Sequence, residues 1–195
     1  MIKVGSKLLI ATLSLLFLSC VSFAEEKDKC YFCKSKDGKS WSAVNDRSVE
    51  DFYNNIGLDF YSGNFDFSDH KQSAVLVGMQ HHNDSLFRES FLGKLTPITG
   101  GFITDKSALY FYTGAEAEYT FGKLKINPSF APGLYRQNDG KDLGHVLEFK
   151  TEVKAAVEIG KNNFLGMSYN HISNASLGTK NPGANSYMFN FRKQF

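Results

Sequence analysis

Residues 147–159 alternate strictly: Leu147, Phe149, Thr151, Val153, Ala155, Val157 and Ile159 share one parity, while Glu148, Lys150, Glu152, Lys154 and Glu158 share the other. A period of two is the repeat of a β-strand, whose successive side chains leave opposite faces of the backbone. One face of this segment is apolar and the other charged. In a soluble sandwich the charged face meets water and the apolar face a protein core. In an outer-membrane barrel the apolar face meets lipid and the charged face lines the interior.

The first residues favour the second arrangement. Lys3 and Lys7 precede an apolar stretch over residues 8–18, followed by Ser22-Phe23-Ala24, the small-x-small pattern that a signal peptidase accepts. Residues 1–24 are therefore expected to be an export signal cut after Ala24. The apolar stretch is short of the ~20 residues that a transmembrane helix needs. Cys20 is not expected to be lipidated, because Phe17 and Leu18 fit poorly as the preceding lipobox residues.

From Ile56 onward the same alternation predicts strands over 56–66, 73–81, 88–103, 107–120, 123–135, 145–160, 163–174 and 186–195. The expected fold is all-β, an eight-stranded antiparallel outer-membrane β-barrel over 55–195, with 25–54 a polar N-terminal periplasmic extension. An even number of antiparallel strands closes without an exposed edge, which a bilayer demands because unpaired backbone groups find no water there. With both termini in the periplasm, the short turns at Phe121-Gly122 and Lys161-Asn162 lie inside, and the longer loops 137–144 and 175–185 lie outside. Such barrels prefer that asymmetry. The last segment alternates Tyr187, Phe189, Phe191, Lys193 and Phe195 with Met188, Asn190, Arg192 and Gln194. It resembles the C-terminal signal read by the barrel assembly machinery, an expected partner.

Charge excludes one class of partner. The 22 basic residues include Lys3 and Lys7, so the segment after Ala24 balances 20 of each sign and has no basic block. Nucleic acid, which is bound by clustered Lys and Arg, is not expected. Cys30 and Cys33 are the cysteines beyond Ala24. Without a βαβ context or a second ligand pair, and in an exported chain, a local disulfide is the expectation.

Chemistry concentrates near the end of the chain. Leu165, Met167, Tyr169, His171 and Ser173 share the outward, apolar parity. Polar side chains facing hydrocarbon are costly without partners, so a functional role is expected of them. Same-face neighbours two apart are separated by roughly 6.6–6.8 Å at the backbone, and their side chains can lean together. His171 then takes the proton from Ser173 as the hydroxyl attacks an ester. His81-His82-Asn83-Asp84 is expected to be a solvated periplasmic turn and not a metal site, since adjacent histidines on extended backbone face opposite ways. Asp105, Asp139 and Asp142 are expected on external loops, facing solvent or divalent ions among lipid headgroups.

His171-Ile172-Ser173-Asn174-Ala175, the later Asn181-Pro182-Gly183 and a last strand ending at Phe195 together resemble the PagL-type lipid A 3-O-deacylases of bacterial outer membranes. The upstream run from Gly140 through His145 to Phe149 is similar to that family too. The resemblance is strongest over roughly the last 60 residues and looser from Ile56. It implies an eight-stranded barrel that removes the ester-linked acyl chain at position 3 of lipid A, with lipopolysaccharide as substrate and outer-membrane lipid around it. Ser173 would be the nucleophile and His171 the general base. Asn181 and the backbone near Ser176 would donate to the oxyanion, with Asn174 a further neutral group beside them. Neither metal nor organic cofactor is implied. One position departs from the family: its third catalytic residue is a glutamate, and Asn185 stands at that place here. An amide orients an imidazole but does not stabilise its cation as a carboxylate does. Asn185 thus separates an esterase from the alternative, a noncatalytic barrel that binds lipopolysaccharide or serves a structural role. A soluble exported barrel with an internal ligand is disfavoured by the charged interior. A homodimer is left open.

Overall fold

Alternation in the sequence becomes an inside and an outside in the structure. The computed structural model describes residues 32–34, 41–43, 56–68 and 73–195; the expected export signal and Cys30 lie outside the described residues. The chain divides into two units after Arg47. In the first, β1 (Phe32–Lys34) pairs antiparallel with β2 (Trp41–Ala43), so that Cys33 stands opposite Ser42.

The second unit is the barrel. Its staves are β3 (Ile56–Phe65), β4 (Ala74–Asn83), β6 (Gly93–Thr104), β7 (Leu109–Ala117) continued by β8 (Tyr119–Phe121), β9 (Leu124–Arg136), β10 (Leu147–Gly160), β11 (Asn163–Ser173) and β12 (Ala184–Gln194); the short β5 (Arg88–Ser90) pairs only with β6. All neighbours are antiparallel, β12 returns to pair with β3, and β9 pairs with β10, so eight staves close on themselves. Closure gives every stave two hydrogen-bonded neighbours, as a membrane interior requires. One end carries residues 66–68 and the loops 105–108, 137–146 and 174–183, and the other carries the short turns.

Three expectations are corrected in detail. The expected strand 88–103 is broken at Phe91-Leu92, where β5 turns into β6. Ser90 Oγ stabilises that turn by accepting from the Leu92 amide at 3.1 Å and donating to the Gly93 carbonyl at 2.9 Å. The expected strand 107–120 is interrupted at Glu118. His81 and His82 belong to β4 and not to a turn: His81 faces out, and His82 is buried with Nδ1 3.3 Å from Asp84 Oδ1. The turn starts one residue later, where the Asn83 side chain accepts from the Ser85 amide at 2.9 Å, an Asx turn that ends the strand.

The interior is filled by side chains. Toward the short-turn end, Arg192 donates to both oxygens of Asp59 at 2.7 and 2.9 Å and to Glu116 at 2.7 Å, and Lys154 joins the same two carboxylates. Asn127 and Gln80 also donate to Glu116. Two cations meet two anions there, so the cluster is neutral and its hydrogen-bonding capacity is used, the condition under which buried charge is tolerated. Toward the loop end, Phe65, Phe102, Tyr110 and Tyr135 pack ring to ring with centroids 5.5–6.5 Å apart. Inward glycines seat these rings: a Cβ on Gly133 would lie 2.6 Å from the Tyr110 ring, and one on Gly78 would lie 2.5 Å from Tyr61.

Outside, Phe60, Val75, Val77, Met79, Ile103, Phe111, Phe130, Leu134, Val153, Val157, Leu165, Met167 and Phe189 are exposed. A continuous apolar belt of this extent is not the surface of a water-soluble monomer.

Candidate functional site

The site is built where β11 and β12 reach the loop end. The ladder sets Leu165 opposite Phe191, Met167 opposite Phe189, Tyr169 opposite Tyr187, and His171 opposite Asn185. All face outward. The expected strand began at 186, but β12 starts at Ala184, which brings Asn185 into the ladder. His171 Nδ1 lies 2.8 Å from Asn185 Oδ1. An amide oxygen only accepts, so Nδ1 carries the proton and Nε2 keeps its lone pair, the tautomer a general base needs.

Asn185 is itself fixed from three sides. The Tyr169 hydroxyl donates to the same Oδ1 at 2.8 Å. Its Nδ2 donates to Ser68 Oγ at 3.4 Å, and Ser68 in turn donates to Asp66 Oδ1 at 2.9 Å. The backbone joins as well, Phe67 N–H donating to the Asn185 carbonyl at 3.0 Å and Asn185 N–H to Asp66 Oδ1 at 3.4 Å. Phe67 packs on Tyr187 with centroids 4.5 Å apart, closing that side of the site.

Below the imidazole sits Gly183, at φ +61°, where a Cβ would stand 3.0 Å from His171 Cε1 and 3.5 Å from Nε2. The ring fills the space a side chain would take. Ser173 ends β11, half-exposed and outward, opposite Phe149. Among the described residues its hydroxyl has no hydrogen-bond partner in the protein.

After Ser173 the chain turns tightly. Ala175 and Ser176 have φ +50° and +63°, and the Leu177 amide closes the turn on the Asn174 carbonyl at 3.0 Å. Consecutive left-handed residues without glycine are uncommon and cost about 1–3 kcal/mol each. The surrounding contacts supply the compensation. Asn174 is fully buried, and its Nδ2 donates to the carbonyls of Leu143 and Lys180, both at 2.8 Å, tying loop 137–146 to loop 174–183. Its side chain thus points away from the outward pair. Asn181 is exposed, and its Oδ1 accepts from the Asn174 amide at 3.0 Å, which leaves the NH2 of Asn181 turned away from that contact. At the surface Asp142 and Lys180 pair at 2.6 Å. The Lys180 hydrogen bond, and after it the Gly144 amide, hold the Asp142 carboxyl below its ordinary range.

Of the residues expected from sequence, His171 and Asn185 are brought into contact, Ser173, Ser176 and Asn181 share the same rim, and Asn174 is structural. Tyr169, Gly183, Ser68 and Asp66 were not anticipated. Tyr169 shares parity with His171 and was open to inference. Asp66 lies 119 residues from Asn185 and carries no local signal. Among the described residues no three or more His, Cys, Asp or Glu side chains converge as a metal site requires.

The crystal structure of the outer membrane enzyme PagL is similar in fold, with a TM-score of 0.55 and 18% identity, over 71% of this chain and 99% of that one. Neisserial surface protein A, NspA, matches with a TM-score of 0.48 and 12% identity over 72% of this chain and 96% of that one. No curated protein matches in sequence. The barrel and its apolar belt agree with the outer-membrane location expected from the sequence. The model of the lipid A 3-O-deacylase (PagL) family matches residues 33–194, and the chain belongs to that family.

Proposed function

We propose that this protein is an outer-membrane esterase that hydrolyses the 3-O-linked acyl chain of lipid A at the lipid-facing rim of its barrel. The observation that carries the reading is the 2.8 Å contact between His171 Nδ1 and Asn185 Oδ1 on an outward apolar face, two residues from Ser173. A substrate that is itself a membrane lipid reaches an outward site without leaving the bilayer.

The reaction is ordinary acyl transfer. His171 Nε2 takes the proton of Ser173 as Oγ attacks the ester carbonyl, and the tetrahedral oxyanion is met by neutral donors. The NH2 of Asn181 and the backbone amide near Ser176 are the donors in this reading. Collapse expels the sugar oxygen, which takes its proton from the imidazolium. Water, deprotonated by the same imidazole, then releases the fatty acid and restores Ser173. Asn185 keeps the tautomer and the ring angle through both steps. Exchanging an acid for an amide at this place has cost ~10⁴ in turnover in a serine protease, so the predicted rate is low.

The test is the mass spectrum of lipid A from outer membranes containing the protein or its Ser173→Ala variant at equal barrel abundance. Loss of one 3-O-acyl mass with the parent alone supports the esterase. Unchanged lipid A in both, after detergent release as well, favours the noncatalytic barrel that the amide at 185 would suit.

A further inference from the structure

The acid missing from position 185 has a counterpart nearby. Following donors from the imidazole, His171 Nδ1–H points to Asn185 Oδ1 at 2.8 Å, Asn185 Nδ2–H to Ser68 Oγ at 3.4 Å, and Ser68 O–H to Asp66 Oδ1 at 2.9 Å. Every donor in this sequence points the same way and the sequence ends on a carboxylate. Asp66 is fully buried. Hydrogen bonds arranged head to tail polarise one another; the Asp66 end is buried, while the Asn185–Ser68 contact is open to solvent. An amide transmits that polarisation through its conjugated O=C–N unit: donation from Nδ2 raises electron density on Oδ1, the atom that accepts from the imidazole.

We propose that Asp66, acting through Ser68, is a positioning residue for His171, supplying through the Asn185 amide the negative charge that a carboxylate at 185 would supply directly; this rests on the esterase reading above.

The placement of Lys141 fits this role. Its ammonium pairs with Asp66 Oδ2 at 2.5 Å, and Lys141 is nearly buried. That pairing occupies Oδ2 and leaves Oδ1 to the Ser68 hydroxyl and to the Asn185 backbone N–H. The pair as a whole is neutral, but its negative end faces the site. Asp66 is held at φ +53°, an uncommon conformation for a residue other than glycine, and residues 66–68 contact the start of β12.

Ser68→Ala is the decisive variant, because it cuts the connection while leaving the Asp66–Lys141 pair intact. The full chain is purified folded in detergent, with heat-modifiable migration as the folding control, and hydrolysis of the 3-O-acyl ester of lipid A is followed. Ser68→Ala and Asp66→Asn are expected to lower kcat by roughly tenfold or more with KM unchanged, in line with the loss of other orienting partners. Ser68→Thr, which keeps the hydroxyl, restores it. In an Asn185→Asp background the charge is direct, and Ser68→Ala then changes kcat by less than about twofold, the scatter of independent sites. Equal losses in both backgrounds, or no loss in either, overturn the proposal.

A second readout does not need turnover. In ¹⁵N-histidine-labelled protein the Nδ1–H resonance of His171 is expected to move upfield with Ser68→Ala and to return with Ser68→Thr. If the resonance responds in a chain that leaves lipid A intact, the relay stands and the esterase reading falls. If Ser173-dependent hydrolysis is present and neither kcat nor the resonance responds, the esterase stands and the relay falls.

Discussion

His171 and Asn185 face each other across the β11–β12 ladder with Nδ1 2.8 Å from Oδ1, so their contact is fixed by strand register and not by a loop. Sites mounted on paired strands are held more precisely than sites on loops.

Gly183→Ala tests how tightly the imidazole is held. The new methyl would stand 3.0 Å from His171 Cε1, and the backbone is at φ +61°, so the ring must move. The shift needed is a few tenths of an ångström, less than the ~1 Å misplacement that costs on the order of 10²-fold in rate. The expected result is a smaller loss than that in kcat, with barrel migration on gels unchanged.

Tyr169→Phe removes one of the two donors on Asn185 Oδ1 and nothing else at the site. A partly exposed neutral hydrogen bond contributes about 0.5–1.5 kcal/mol. Turnover should fall a few-fold, and stability in detergent should drop by no more than that amount. A loss as large as that of His171→Ala would mean that the tyrosine takes part in the chemistry.

Asp59→Ala tests the interior instead. It leaves Lys154 and Arg192 sharing Glu116, with the half-exposed Glu118 3.9 Å from Arg192 as the other carboxylate in reach. Removing one partner of a buried ionic group costs about 3–5 kcal/mol. Urea unfolding in detergent should show a loss of that size, while the rate per folded barrel stays close to the parent, since the cluster sits at the end away from Ser173.

Asp142 gives a pH dependence of known sign. Lys180 and the Gly144 amide lower its pKa from 3.8, so the tie between the two loops contributes stability above the ordinary carboxylate range and loses it as pH falls through the lowered value. The Asp142 carboxyl resonance should titrate with a midpoint below 3.8 and rise toward it in Lys180→Met. A midpoint that ignores Lys180 contradicts the contact.

Much of this was legible because inside and outside alternate locally. The two faces of residues 147–159, the outward parity of His171 and Ser173, and the even count of staves all follow from period two. Parity failed where both faces carry the same chemistry: Tyr110 and Tyr112 are core while Phe111 between them is exposed, yet three consecutive aromatics do not say which is which. The break at Phe91-Leu92 was hidden because the turn itself is apolar. Asp66 and Ser68 reach Asn185 only because β12 closes the barrel against β3, a long-range pairing with no trace in either segment alone.

The most direct test of the central claim is fatty-acid release from purified lipid A by the folded barrel in detergent, comparing the parent with Ser173→Ala and His171→Ala. Slow but catalytic release of the 3-O-linked chain is expected from the parent, and none above background from either variant. Release that persists without Ser173 or His171, or its absence from a correctly folded parent, would contradict that claim.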